Sequence, residues 1–92
     1  MPERTATIAS RSGLHARPAA LFAEAASEQP VEVTIAMQGD PADDALDAAS
    51  ILSLMTLGAA KGDVVVLRAE GEGADAALDA LVALLETDLD AV

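Results

Sequence analysis

Apolar and polar positions alternate in some stretches of this chain and recur every three or four residues in others. Ala6 and Ile8 fall on one side of residues 5–9, and Val31, Val33, Ile35 and Met37 alternate with Glu32 and Thr34, so both runs predict strands. Residues 64–69 are rich in valine and predict a buried strand. Phe22 and Ala26 share a face that excludes Glu24 and Glu28, which predicts a helix over residues 16–27. Leu78, Leu81, Val82, Leu85 and Leu89 recur opposite Asp75, Asp79 and Glu86, predicting an amphipathic helix over residues 74–88. Ser50 has the chemistry of an N-cap for a short helix over residues 51–57, and Gly58 stands where a left-handed residue ends it. Gln38, Gly39, Asp40 and Pro41 form a turn cluster, and the acidic stretch through Asp43, Asp44 and Asp47 predicts a loop entering a short strand near residues 45–48. This order of elements predicts an α+β fold with an antiparallel sheet and helices on one face.

With 92 residues the chain is expected to form one domain. Hydrophobic residues make up 52% and aromatic residues 1%, so the core must be aliphatic. The absence of cysteine excludes disulfides, thiolate chemistry and cysteine-ligated zinc, and a single histidine is a poor basis for a metal centre. No metal or cofactor is expected. The first residues lack the apolar core of a signal peptide and no apolar run approaches a membrane span, so a cytoplasmic protein without a membrane partner is expected. Sixteen acidic residues against five basic ones give a net charge of −11, which argues against nucleic acid as a partner.

The candidate chemistry lies between Gly13 and Ala20. Gly13 can take positive φ, and Pro18 fits a first helical turn, where its missing N–H costs no intrahelical bond. The helix therefore starts near His15 or Ala16, with His15 at the N-cap. Unpaired amides and the positive end of the helix dipole converge there and favour an anion. Arg17 adds a guanidinium able to donate paired hydrogen bonds to phosphate oxygens. A phosphoryl acceptor needs an uncharged imidazole in such a setting, whereas a lone histidine is by itself as readily an ordinary surface residue.

The run Gly13-Leu14-His15-Ala16-Arg17-Pro18-Ala19 closely resembles the active-site motif of HPr, the histidine-containing phosphocarrier family of the phosphoenolpyruvate-dependent sugar phosphotransferase system. The segment from Ala49 through Ser50 to Thr56-Leu57-Gly58 is similar to that family's second motif, and Lys61-Gly62-Asp63 with the following valines is similar to its last strand. The resemblance covers essentially the whole chain. It implies an open-faced β-sandwich, four antiparallel strands with three helices on one face in βαββαβα order. It also implies that His15 accepts a phosphoryl group through Nδ1 from enzyme I and passes it to sugar-specific IIA domains. In that reading Arg17 and the amides of Ala16 and Arg17 hold the phosphate, with Ser12 helping to hold the loop. Ala16, Ala20, Ile51, Leu52, Met55 and Thr56 map onto the docking face, where Ile51, Leu52 and Met55 are not all expected to be exposed and about half of the apolar residues of the short helix are expected to be buried, with Leu54 and Leu57 toward the core. The protein is then a covalent carrier, expected to be monomeric, whose partners complete each catalytic site.

In some branches of the family the serine equivalent to Ser50 is phosphorylated by an ATP-dependent kinase, and the product binds a transcriptional regulator. Ser50 is first of all an N-cap, and Asp43, Asp44 and Asp47 oppose a new phosphate. Two departures from the family pattern stand out. Extra residues lie in the acidic turn at residues 38–47, and Glu24, Ser27, Ala49 and Ser53 occupy places where well-known members carry lysines. Two other readings fit part of the sequence: a purely regulatory HPr-like binding module, and an acyl carrier protein with a serine at a helix start. The second lacks its Asp-Ser-Leu motif, because Ala49 precedes Ser50, and has no place for valine-rich strands.

Overall fold

In the computed structural model of the chain, which describes residues 2–89, the elements run β1 (Glu3–Thr7), α1 (Ala16–Ser27), β2 (Val33–Met37), β3 (Leu46–Asp47), α2 (Ile51–Leu57), β4 (Val64–Ala69) and α3 (Ala74–Leu85). The four strands form one antiparallel sheet in the order β1-β4-β2-β3. Strand β4 is central, with Val66 opposite Thr5 of β1 and Ala36 of β2. This is the βαββαβα α+β architecture expected from the sequence.

Alternation along the strands decides what the sheet buries. Val33 and Ile35 of β2 and Val65, Leu67 and Ala69 of β4 join Phe22 of α1 and Leu78, Leu81 and Leu85 of α3 in one cluster. Each large aliphatic side chain removed from water there contributes about 1.5–3 kcal/mol. Phe22, the only aromatic residue, is fully buried on the inner face of α1, so the core is aliphatic around a single ring. Arg4 of β1 reaches α3, donating from Nε to Asp79 and from Nη2 to Asp75 at 3.1 Å each. Hydrogen bonds to Asp75 and then Asp79 raise its pKa above the ordinary guanidinium value.

Helices α1 and α2 and strand β4 have the bounds expected from the sequence, whereas the ends of β1, β2, β3 and α3 differ. Strand β1 occupies Glu3–Thr7 rather than residues 5–9, because Thr7 opposite Val64 is its last pair and Ile8 already turns away, its N–H bonded to the carbonyl of Asp63. Strand β2 begins at Val33, opposite Ala69, and Val31 packs half-buried before it. Strand β3 is only Leu46–Asp47, and the acidic stretch before it contains a turn of 3-10 helix at Ala42–Asp44, closed by the N–H of Asp44 on the carbonyl of Pro41. Helix α3 stops at Leu85 instead of residue 88, and the buried Leu89 is carried inward by the turn that follows.

Candidate functional site

Helix α1 begins as its sequence requires. His15 is the N-cap, with extended backbone (φ −141°, ψ 151°), and Pro18 is buried in the first turn. The His15 side chain makes no capping hydrogen bond and is exposed, so its imidazole is aimed by the backbone alone. Ala16 has φ of +50°, and among the described residues it is the one non-glycine in the left-handed region. Such a conformation costs an alanine about 1–2 kcal/mol and persists only where the surroundings impose it. Nothing local in the sequence announces it, since alanine has no preference for that region.

The surroundings are identifiable. Gly13, at φ +71°, lies directly against the backbone of Ala59 and Ala60, and the N–H of Leu14 donates to the carbonyl of Ala59 at 2.9 Å. Leu14 is fully buried. The turn after α2 therefore braces the residues that present His15. Arg17 is exposed, and its guanidinium forms no ion pair among the described residues, whereas Arg4, Arg11 and Arg68 are each paired with a carboxylate. Ser12 is exposed beside them and takes part in an interaction of its own. His15, Ala16, Arg17 and Ser12 thus share one exposed loop and helix start.

Helices α1 and α2 pack together, which brings α2 beside this loop. Ser50 caps α2, its Oγ accepting from the N–H of Ser53 at 3.2 Å, and Gly58 ends it at φ +70°. Replacing Ser50 by alanine is expected to cost about 1 kcal/mol, read as a fall of roughly 4–8 °C in the thermal midpoint. The expectation that Ile51, Leu52 and Met55 could not all face solvent is corrected here. Leu52 is 78% exposed, Ile51 45% and Met55 38%, while Leu54 is buried and Leu57 half-buried. A helix of seven residues fits its core contact with one leucine and a fraction of another. With the exposed Ala16 and Thr56 and the half-buried Ala20, these side chains leave apolar surface around α2 and the start of α1.

Two grooves lie away from these residues. One groove runs between the end of α1 and β2, lined by Ser27, Gln29, Glu32 and Asp47 among others, and a second lies over Thr34, Arg68 and Glu70. Neither includes His15 or Arg17. Exposed at the helix start, the histidine is accessible to a second macromolecule. Among the described residues no group of three or more His, Cys, Asp or Glu is placed to hold a metal ion, and no helix is long and apolar enough to cross a membrane.

Comparison with known proteins agrees with this arrangement. Residues 2–87 match the family described as "PTS HPr component phosphorylation site". The phosphocarrier protein HPr of Streptomyces coelicolor is 43% identical over 91 residues, covering 98% of this chain and 94% of that protein. The phosphocarrier protein HPr of Haloferax volcanii is 44% identical over 85 residues, covering 92% and 93% respectively. Among solved structures, HPr-C-His from Thermoanaerobacter tengcongensis superimposes with a TM-score of 0.83 at 39% identity, covering 98% of this chain and 97% of that one. With its sheet order, its histidine at a helix start and this likeness over nearly its full length, the chain belongs to the HPr family of phosphocarriers of the phosphotransferase system.

Proposed function

We propose that His15 is the phosphoryl acceptor, charged by phospho-enzyme I and discharged to the IIA domains of sugar permeases. The observation that carries this reading is an exposed imidazole at the N-cap of α1, two residues from an arginine with no ion pair among the described residues. In the transfer step the lone pair of imidazole Nδ1 attacks phosphorus, and the bond from phosphorus to the donor breaks as the new P–N bond forms. The imidazole then leaves as readily as it attacked, so the group is held without being trapped. Arg17 and the first-turn amides of Ala16 and Arg17 neutralise charge on the equatorial oxygens, with no contribution from Pro18, which has no N–H. The exposed apolar side chains of α2 exclude water when a partner docks, and the partner supplies the rest of the catalytic site. Met55, unbranched and polarisable, suits contact with more than one partner.

Incubation with labelled phosphoenolpyruvate and an enzyme I tests the proposal. Label that is released by acid and retained in base is expected, as for a phosphoramidate; an unlabelled chain, or acid-stable label, overturns the assignment. In the same assay Arg17→Ala is expected to slow transfer by about tenfold to a hundredfold, the range for losing a charged donor to a transferring group. Its unfolding midpoint should not move, since the guanidinium is exposed and supports nothing in the fold.

A further inference from the structure

Three consecutive residues of the loop between β1 and α1 are bonded to the segment that ends and follows α3. The N–H of Ala9 donates to the carbonyl of Leu85 at 3.1 Å, Ser10 Oγ accepts from the N–H of Leu89 at 2.9 Å, and Arg11 Nε pairs with Asp88 Oδ2 at 3.3 Å. The middle contact differs in kind from its neighbours. Ser10 is 2% exposed and is the only fully buried polar residue among the described ones, whereas Arg11 is 67% exposed and its ion pair is screened by water. Leu89, whose amide meets the hydroxyl, is itself buried.

Ser10 also faces the active loop. Its carbonyl accepts from the N–H of Gly13 at 2.9 Å, closing the tight turn that leads through Leu14 to His15. On its other flank the same loop is fixed by the N–H of Ile8 on Asp63 and of Leu14 on Ala59. Since the imidazole has no side-chain bond to orient it, its direction depends on these backbone supports. A buried serine whose oxygen joins two segments 79 residues apart is a keystone for one of them.

We infer that Ser10 is a positioning residue for phosphoryl transfer, acting through the segment after α3 to hold the His15 loop in its productive geometry; this rests on the carrier reading of His15. The test compares the full chain with Ser10→Ala, which removes the acceptor, Leu89→Pro, which removes the donor N–H, and the double variant. All are measured at a temperature where circular dichroism shows each folded. Amide exchange at Gly13 and Leu14 is expected to quicken about tenfold, with Val65 and Leu67 of β4 unchanged, because the loss is local rather than global. The kcat for phosphoryl uptake should fall about tenfold while KM, set by docking on α2, stays within about twofold. The double variant should be no slower than the slower single one, as expected for two halves of one contact. Unchanged exchange at Gly13 and Leu14 overturns the inference, and so does an unchanged kcat in variants of a chain that takes up phosphate. A parent chain that takes up none removes the carrier reading and the transfer role with it, and exchange alone then decides whether Ser10 holds the loop.

Discussion

His15→Ala is expected to give a folded chain that takes up no phosphoryl group under conditions in which the parent is fully labelled. The fold places nothing on that side chain: it is exposed and makes no capping bond, and its extended backbone suits alanine. The change in stability should stay within about 0.5 kcal/mol, as for surface positions without a special role. The effect on transfer is total because the sequence holds no second histidine to substitute for it. Label on the variant that is acid-labile and base-stable contradicts the assignment outright. Acid-stable label on the variant points instead to a hydroxyl such as that of Ser50.

Gly13→Ala is expected to be the most damaging single change outside the acceptor itself. An added Cβ meets the carbonyl oxygen of Ala59 well inside van der Waals contact and lies 2.9 Å from Cα of Ala60. Both neighbours are backbone, so neither can swing aside, and φ of +71° is itself unfavourable for alanine. The loop must pull away from Ala59, which also breaks the bond from the N–H of Leu14. The combined cost is about 2–4 kcal/mol, read as a midpoint lower by roughly 10–25 °C. Because Gly13 is two residues from His15, transfer by the folded fraction should fall on the order of a hundredfold, the usual penalty for a displacement of about an ångström. Unfolding at the parent's midpoint with full activity would contradict the bracing of this loop by Ala59 and Ala60.

The start of α1 and both ends of α2 are legible in the sequence because each is marked by a residue with a local reason to be there. Pro18 and Gly13 mark the first, Ser50 and Gly58 the second. The pairing of His15 with Arg17 was readable for the same reason, since a helix start is a short-range feature. Residues 64–69 are legible at both ends from their valine-rich run, but the end of β1 is not, because β1 stops at Thr7 where β4 begins at Val64, and that partner is more than fifty residues away. Leu89 continues the spacing of Leu81 and Leu85, so periodicity alone extended α3 past a turn that the chain in fact makes. Ser10 is not legible in the sequence: its partner is at the far side of the chain, and a single serine in a loop carries no local mark of burial. The exposure of Leu52 and its neighbours was underestimated because a helix of seven residues is too short to carry a wide apolar stripe.

The ion pairs described above engage only Glu3, Asp75, Asp79 and Asp88, and no other carboxylate pairs with a base among the described residues. Folding therefore gathers most of sixteen acidic side chains onto one small surface, where they repel each other more than in the extended chain. Dissolved ions damp that repulsion over about 8–10 Å at moderate ionic strength, which relieves the folded state more than the open one. A fold held by pairs weakens as electrolyte is added; this one is expected to gain, its thermal midpoint rising with salt, so that its ionic atmosphere acts as an unbound part of its architecture.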